Sequence, residues 1–450
     1  MQRSSVVAMD SLDLTLVVSF IWLGLCTVGY YVAPRKDWIP RKINSPVAIA
    51  GLVLLIALLV RLIPAALLPR GAEYDIDSFR RVAETLLKGG TVYDGPLVAG
   101  RHPYLPFQLY LIWAAGYISA VSKLPFVFLV KLVPIMADAA LAVLIFKIGL
   151  NFGQTLASAF SWSLLYALHP VSILVSAYHG QFDSETVLLL VLAWYFWHFG
   201  KQDARGLGCS ALMLGLAILN KSWAAMFLPI VLFRLKSTKQ RFLYALIALA
   251  TPVVFTALYI VAFHDAPYPL LHRALTHAGV PGWWGASAVA SLTWHLTGMG
   301  QGVVSWLAQY GRWLVLVGAC CVYWVTRRQH AMDAWVTLLV VLYVLTSGFG
   351  LQWTLWVVPF AILAGDLWRL DRYTLAALLY MLPAYYGYHF EPLLLRWLSS
   401  EQMNVVLIAC AIPVWLVCVW WALGRLRDAK SRSNDGPVEA GHLDVSRHWR

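Results

Sequence analysis

The chain has 450 residues, of which 60% are hydrophobic and only 12% charged, with a mean hydropathy of +0.68. A soluble domain carries about 25% charged residues, so this chain cannot cover a soluble surface and must turn most of its residues to lipid or to other helices. Its formal net charge of +12 sits in short gaps between apolar runs, which points to membrane topology and anionic headgroups and away from nucleic acid.

A spanning helix takes about 20 apolar residues. In chain order, candidate segments begin near Leu12, Pro46, Tyr104, Phe126, Thr155, Asp183, Gly206, Trp223, Phe242, Val303, Ala334, Gly350, Thr374 and Val405. They predict an all-α polytopic membrane protein with about 13–14 transmembrane helices. The first run, Leu12 to Ala33, has full spanning length and no small-residue cleavage site, so a span is expected there and not a removed signal. On this reading residues 1–424 form one transmembrane domain and 425–450 a polar cytoplasmic tail. Two connections, 69–103 and 264–302, are longer than connectors need to be. Their Trp, Leu, His and Pro content and the amphipathic run Ser78 to Lys88 predict ordered extracytoplasmic caps with helices along the membrane surface. Cys26, Cys209, Cys320, Cys321, Cys410 and Cys418 all lie in apolar segments. They read as small buried apolar residues, and neither a disulfide framework, a metal site nor a cofactor is expected.

Basic clusters set the orientation. Arg35-Lys36 with Arg41-Lys42, Arg234-Lys236-Lys239-Arg241, Arg327-Arg328, Arg369 with Arg372, and Arg425-Arg427-Lys430 are expected on the cytoplasmic side. This puts both long connections and the His179–Asp183 stretch outside, provided that one segment between Tyr104 and Phe182 fails to span. The alternative, one long bent helix over Gly206–Leu235, would move His179–Asp183 inside. The first repair is preferred because it gathers the acidic groups on one side.

Five polar clusters interrupt the apolar pattern, and ionisable residues at membrane level tend to mark function. Glu73-Tyr74-Asp75-Ile76-Asp77 packs three carboxylates into five residues. In an extended segment Asp75 and Asp77 share a face, and a carboxylate there suits a general base or a cation ligand. As a plain loop start, the same residues need do nothing. Tyr178-His179-Gly180-Gln181-Phe182-Asp183-Ser184-Glu185 and Asn220-Lys221-Ser222-Trp223 come next, then His264-Asp265, His272-Arg273 and His277 followed by Trp283-Trp284. Arg and His beside aromatics suit an anionic headgroup and a sugar ring. The last is Gln352-Trp353-Thr354-Leu355-Trp356 before Pro359. Each of these reads equally as a polar turn or an interfacial aromatic belt. The absence of Walker A, Rossmann and His-Glu-x-x-His patterns argues against a nucleotide-driven pump and a zinc protease.

Asp75-Ile76-Asp77-Ser78-Phe79, Leu86-Leu87-Lys88-Gly89-Gly90, Val92-Tyr93-Asp94 and Arg101-His102-Pro103-Tyr104-Leu105-Pro106 resemble the first luminal loop of GT-C glycosyltransferases. The spacing from Asp75 to Phe79 resembles that of the bacterial polyprenyl-phosphate mannosyltransferases, and the Asp-Ile-Asp is similar to one in the catalytic subunit of GPI mannosyltransferase I. His169-Pro170-Val171-Ser172 and His179-Gly180-Gln181-Phe182-Asp183 resemble a region of the dolichyl-phosphate-glucose glucosyltransferases. So do Asn220-Lys221-Ser222-Trp223 and the late Gln352, Trp356, Pro359 pattern. The helix Leu12–Ala33 is additional to the usual class pattern. The resemblance implies an inverting transfer of a hexose, mannose first, from a polyprenyl-phosphate donor to a glycan or lipid acceptor, with membrane lipids as the other partners. Asp75, ranked first on its spacing to Phe79, would be the general base, with Asp77 assisting. Lys221, Arg273, His277 or His179 would meet the leaving phosphate. Gln181 and Asp183 would bind sugar hydroxyls, and Glu73, His102, Gln352 and Trp356 would line the substrate site. The expected location is a bacterial plasma membrane in preference to the endoplasmic reticulum. A transporter of a lipid-linked sugar, or an inactive accessory subunit, is the rival reading.

Overall fold

A computed structural model describes residues 14–35, 45–68, 70–98, 100–200, 204–277, 279–389 and 398–434. Part of the first basic cluster (Lys36, Arg41 and Lys42) and the end of the tail, 435–450, lie outside the described residues. The first helices are α1 Leu14–Val32, α2 Pro46–Leu67, α3 Glu73–Leu87, α4 Phe107–Ser122, α5 Phe126–Asn151 and α6 Leu156–Ala167. There follow α7 Pro170–Ile173, continued by a π-helical stretch Leu174–His179, then α8 Asp183–Phe199, α9 Ala204–Asn220, α10 Leu228–Leu232, α11 Thr238–Phe263 and α12 Pro267–Thr276. The last are α13 Gly285–Thr297, α14 Gln301–Val325, α15 Ala331–Leu345, α16 Val358–Leu363, α17 Leu367–Ala384 and α18 Ser400–Asn434. Among the described residues the only β pairing is an isolated antiparallel bridge between Pro281 and Gly348. The protein is therefore an all-α, polytopic membrane protein.

Local chemistry sets several of these limits. Ser45 caps α2 by accepting from the Ala48 amide, with Pro46 at the first helical position. Ser237 and Gln240 form a reciprocal capping box on α11. His169-Pro170 ends α6, because proline has no amide to continue the ladder and crowds the residue before it.

Among the described residues six helices are long and apolar enough to span: α1, α2, α5, α11, α14 and α18. The pair α6 and Pro170–His179, bent by 45° at its break, makes a seventh if it counts as one span. Other apolar segments of the sequence are shorter helices, such as α4, α9 and α15 with 16, 17 and 15 residues. Among the described residues, fewer of the fourteen apolar runs therefore form helices of full spanning length than the sequence predicts. Between Tyr104 and Phe182, where the crossing count fails to close, lie the short α4 and the bent pair. The Gly206–Leu235 stretch is not one helix either: α9 stops at Asn220, Lys221 is extended, and a 3-10 turn Ser222–Phe227 follows.

α5 lies at the centre, with 67% of its most apolar window buried, whereas α11 and α14 bury 28% and 22% and turn apolar side chains such as Val253, Val261 and Trp313 outward. The cysteines do not behave alike: Cys26 and Cys418 are buried, Cys209 and Cys410 are half-buried, and Cys320 and Cys321 are exposed on α14. The tail begins later than its composition suggests. α18 runs on to Asn434, and Arg425 is buried and paired with Asp333 of α15.

Buried polar groups tie the bundle together. The Arg61 guanidinium donates to Asp138 at 3.0 Å, to the Ala57 and Ala167 carbonyls, and to Ser172. Tyr166 and Ser172 in turn donate to the Asp138 carboxylate. This satisfied network joins α2, α5, α6 and α7 at the break, so the bend that leads to His179 is held in place. At one end of the bundle Asp265 staples the two long connections together, accepting from the Val92 and Tyr93 amides and from the Tyr259 hydroxyl.

Candidate active site

The segment after α2 does not stay extended. α3 begins at Glu73 and buries Ile76, Phe79, Val82, Ala83 and Leu86, a stripe at helical spacing. Residues two apart on a helix point about 200° apart, so Asp75 and Asp77 do not share a face. Asp77 turns outward and pairs with Arg81 at 2.8 Å and Arg101 at 2.9 Å. The Arg101 guanidinium also stacks 4.8 Å from the Tyr74 ring. Glu73 is exposed on the same turn.

Asp75 turns inward. Its Oδ2 accepts from His179 Nε2 at 2.7 Å and from Gln181 Nε2 at 2.8 Å. Both bonds fall on one oxygen, and the side chain keeps 28% exposure. Burial pushes the Asp75 carboxyl up, but the His179 hydrogen bond and charge, the Gln181 amide and the Lys221 charge outweigh it and hold the group below the ordinary carboxylate range. On the far side of the imidazole, His179 Nδ1 lies 2.7 Å from the Tyr385 hydroxyl. Asp75, His179 and Tyr385 thus form one hydrogen-bonded row.

Two glycines permit this approach. Gly180 has φ +82°, a left-handed conformation that turns the chain sharply between His179 and Gln181. A Cβ on Gly71 would lie 2.5 Å from the His179 carbonyl, so the two backbones pass there in close contact. Ala72 N donates to the same carbonyl at 3.2 Å. The π-helical stretch before His179 widens the turn, a feature frequent at functional sites.

Beside this cluster Asp183 and Lys221 form a fully buried pair at 2.7 Å. The other Asp183 oxygen accepts from Trp356 Nε1 at 2.5 Å. Lys221 Nζ also faces the Phe182 ring at 4.6 Å and the Tyr104 ring at 4.9 Å. Trp356 stacks on Trp223 at 3.9 Å and on Trp353 at 5.0 Å, which makes an aromatic wall. His277 meets the Tyr104 ring edge-on at 5.3 Å. Arg273 Nη1 lies against Gly100, 3.2 Å from where a Cβ there would sit.

Of the residues singled out in the sequence, the structure brings together Asp75, His179 and Gln181, and beside them Asp183, Lys221 and Trp356. Tyr104 links His277 to the Lys221 side. His102 is buried under Tyr93 and Tyr104, and burial pushes its imidazole down to about 4, so it stays neutral near pH 7 as a packing residue. Gln352 is half-buried, its amide folded over Gly350. Tyr385 was not legible in the sequence: it lies in an apolar stretch, 206 residues from His179.

The family model that this chain matches places its all-helical membrane bundle among the membrane glycosyltransferases of the GT-C type. The chain belongs to glycosyltransferase family 87, whose family model matches residues 103–348, more than half of it. The matched stretch contains His179, Gln181, Asp183, Lys221, Arg273 and His277, and begins after Asp75. No curated protein matches the chain.

Proposed function

We propose that this glycosyltransferase is an inverting enzyme that moves a hexose, mannose first, from a polyprenyl-phosphate donor to a hydroxyl of a glycan or lipid acceptor. The reaction takes place at the extracytoplasmic face of its membrane, in a bacterial plasma membrane by preference. The observation that carries this reading is the Asp75 carboxylate, held by His179 and Gln181 through one oxygen while the side chain stays part exposed.

In this mechanism Asp75 takes the proton of the acceptor hydroxyl as its oxygen attacks the anomeric carbon. The bond from that carbon to the phosphate oxygen breaks with its electron pair, and polyprenyl phosphate departs from the opposite face. The configuration inverts, and the proton on Asp75 passes to solvent. The leaving phosphate is already anionic, so a cation near it supplies the stabilisation and no strong acid is required. Arg273 suits that task better than Lys221, because Asp183 already neutralises the Lys221 ammonium at 2.7 Å; burial and the Lys221 charge lower the His277 imidazole, which serves there as a neutral hydrogen-bond donor. The indole wall of Trp223, Trp353 and Trp356 suits the sugar ring and the first prenyl units. Asp77, paired with two arginines, is assigned no proton transfer.

The test is transfer from radiolabelled polyprenyl-phosphate-mannose in membrane vesicles. Asp75→Asn lowers the rate by about 10²–10⁴-fold, the usual contribution of a general base. Asp77→Asn stays near wild type, since exposed ion pairs contribute at most about 1 kcal/mol. Full activity in Asp75→Asn overturns the proposal. Family membership sets aside the transporter reading, and a new glycosidic bond in the product distinguishes the two directly.

A further inference from the structure

We infer that Lys131 is a positioning residue for this site: its side chain lies under the active-site turn and fastens the Asp75 segment against His179 and Gln181. This rests on the proposal that Asp75 is the base.

Lys131 lies on the second turn of α5 and is fully buried. Its ammonium donates to two backbone carbonyls, Leu68 at 3.2 Å and Arg70 at 2.5 Å, and not to a carboxylate. Those carbonyls belong to the few residues between the end of α2 and the start of α3, the segment that aims Asp75. The Lys131 stem touches the other half of the site. A Cβ on Gly180 would lie 3.1 Å from Lys131 Cγ and 3.7 Å from Cε, so the aliphatic chain runs directly beneath the turn from His179 to Gln181.

One side chain therefore supports both halves of the hydrogen-bonded cluster, its head on the Asp75 side and its stem on the His179 side. The Ala72 amide to His179 carbonyl bond closes the same gap from above. Filling space alone does not explain a lysine here. An amine buried without a carboxylate is costly, and methionine would occupy the volume without that cost. Holding two carbonyls of an irregular segment requires a flexible donor with several N–H groups, which lysine provides.

The experiment measures steady-state transfer by the full-length enzyme in membrane vesicles, with radiolabelled polyprenyl-phosphate-mannose as the probe. Lys131→Met is expected to lower kcat by about 10- to 100-fold, the usual penalty for a displacement of about 1 Å, while the donor KM stays as in wild type. Lys131→Arg, which keeps the donors, restores most of the rate. The acid limb of the kcat profile moves to higher pH in Lys131→Met, because Asp75 loses the aligned donors that keep it ionised. In a His179→Ala background the same substitution costs little more, since the alignment it protects is already gone. Should Lys131→Met not accumulate in the membrane, Lys131→Gln carries the same comparisons. Wild-type kcat in Lys131→Met, or an equal loss with and without His179, overturns the inference. If Asp75→Asn is inactive while Lys131→Met is normal, only the Lys131 role fails; an active Asp75→Asn removes the reading beneath it.

Discussion

Replacing His179 by alanine tests the site most directly. The substitution removes one of two hydrogen bonds on Asp75 Oδ2, the 2.7 Å bond from the imidazole, and leaves the 2.8 Å bond from Gln181. A hydrogen bond to a charged group contributes about 1.5–3 kcal/mol. The 28% exposure of the Asp75 side chain puts this one at the lower end. If the orientation it provides is needed in the transition state, plateau kcat falls by about tenfold, the equivalent of ~1.4 kcal/mol. The pH dependence changes as well. His179 is a principal cause of the low Asp75 ionisation range, so without it the folded-state value rises. Activity that depends on the carboxylate is present above that value and is lost as pH falls through it. The acid limb of His179→Ala therefore lies at higher pH than that of wild type. Initial rates of vesicle transfer across the acid range measure both effects. An acid limb that stays in place or moves down, or an unchanged plateau, refutes the assignment of His179 as the partner of the base.

Gly180→Ala forces a Cβ into a left-handed residue and within 3.2 Å of Ile76 Cδ1. A loss of about 1–2 kcal/mol in stability and a fall in kcat are expected, read by thermal unfolding in detergent and by transfer assay. Arg61→Met leaves the Asp138 carboxylate buried without its guanidinium, and breaking such a pair costs about 3–5 kcal/mol. Arg61→Met with Asp138→Leu recovers part of the lost melting temperature, because no uncompensated charge then remains. Arg273→Ala removes the cation assigned to the leaving phosphate. A transfer rate lower by about tenfold or more is expected for a charge-assisted contact, with Lys221→Met judged instead by thermal stability, since it leaves Asp183 unpaired.

Much of the site is written in short-range pattern. Asp75, His179, Gln181, Asp183 and Lys221 stand out because ionisable residues are conspicuous in a chain with so few charges. What they do to one another is another matter. Asp75 and His179 are 104 residues apart, and Asp183 and Lys221 are 38 apart. No local spacing reveals that the first pair is poised and the second already neutralised. That Asp75 turns into the cluster and Asp77 away from it follows from helical periodicity, which replaces the strand-like alternation suggested by the loop. Tyr385 carries no local signal, because it lies within an apolar run, whereas Lys131 is a conspicuous charge in such a run whose carbonyl partners, more than 60 residues away, only the structure shows.

The sequence by itself determined that this is an all-helical membrane protein, because burying or exposing apolar surface is a property of each segment. It also marked which few polar groups interrupt the helices, since every such group in hydrocarbon must have a reason to be there. The tertiary structure decided which apolar runs fold as long unbroken helices, which carboxylate is aimed and which is paired away, and what lies beneath the turn that aims it. These depend on close approach between segments brought together by packing, where a glycine at 71 or 180 and a lysine at 131 matter through their neighbours and not through the pattern around them.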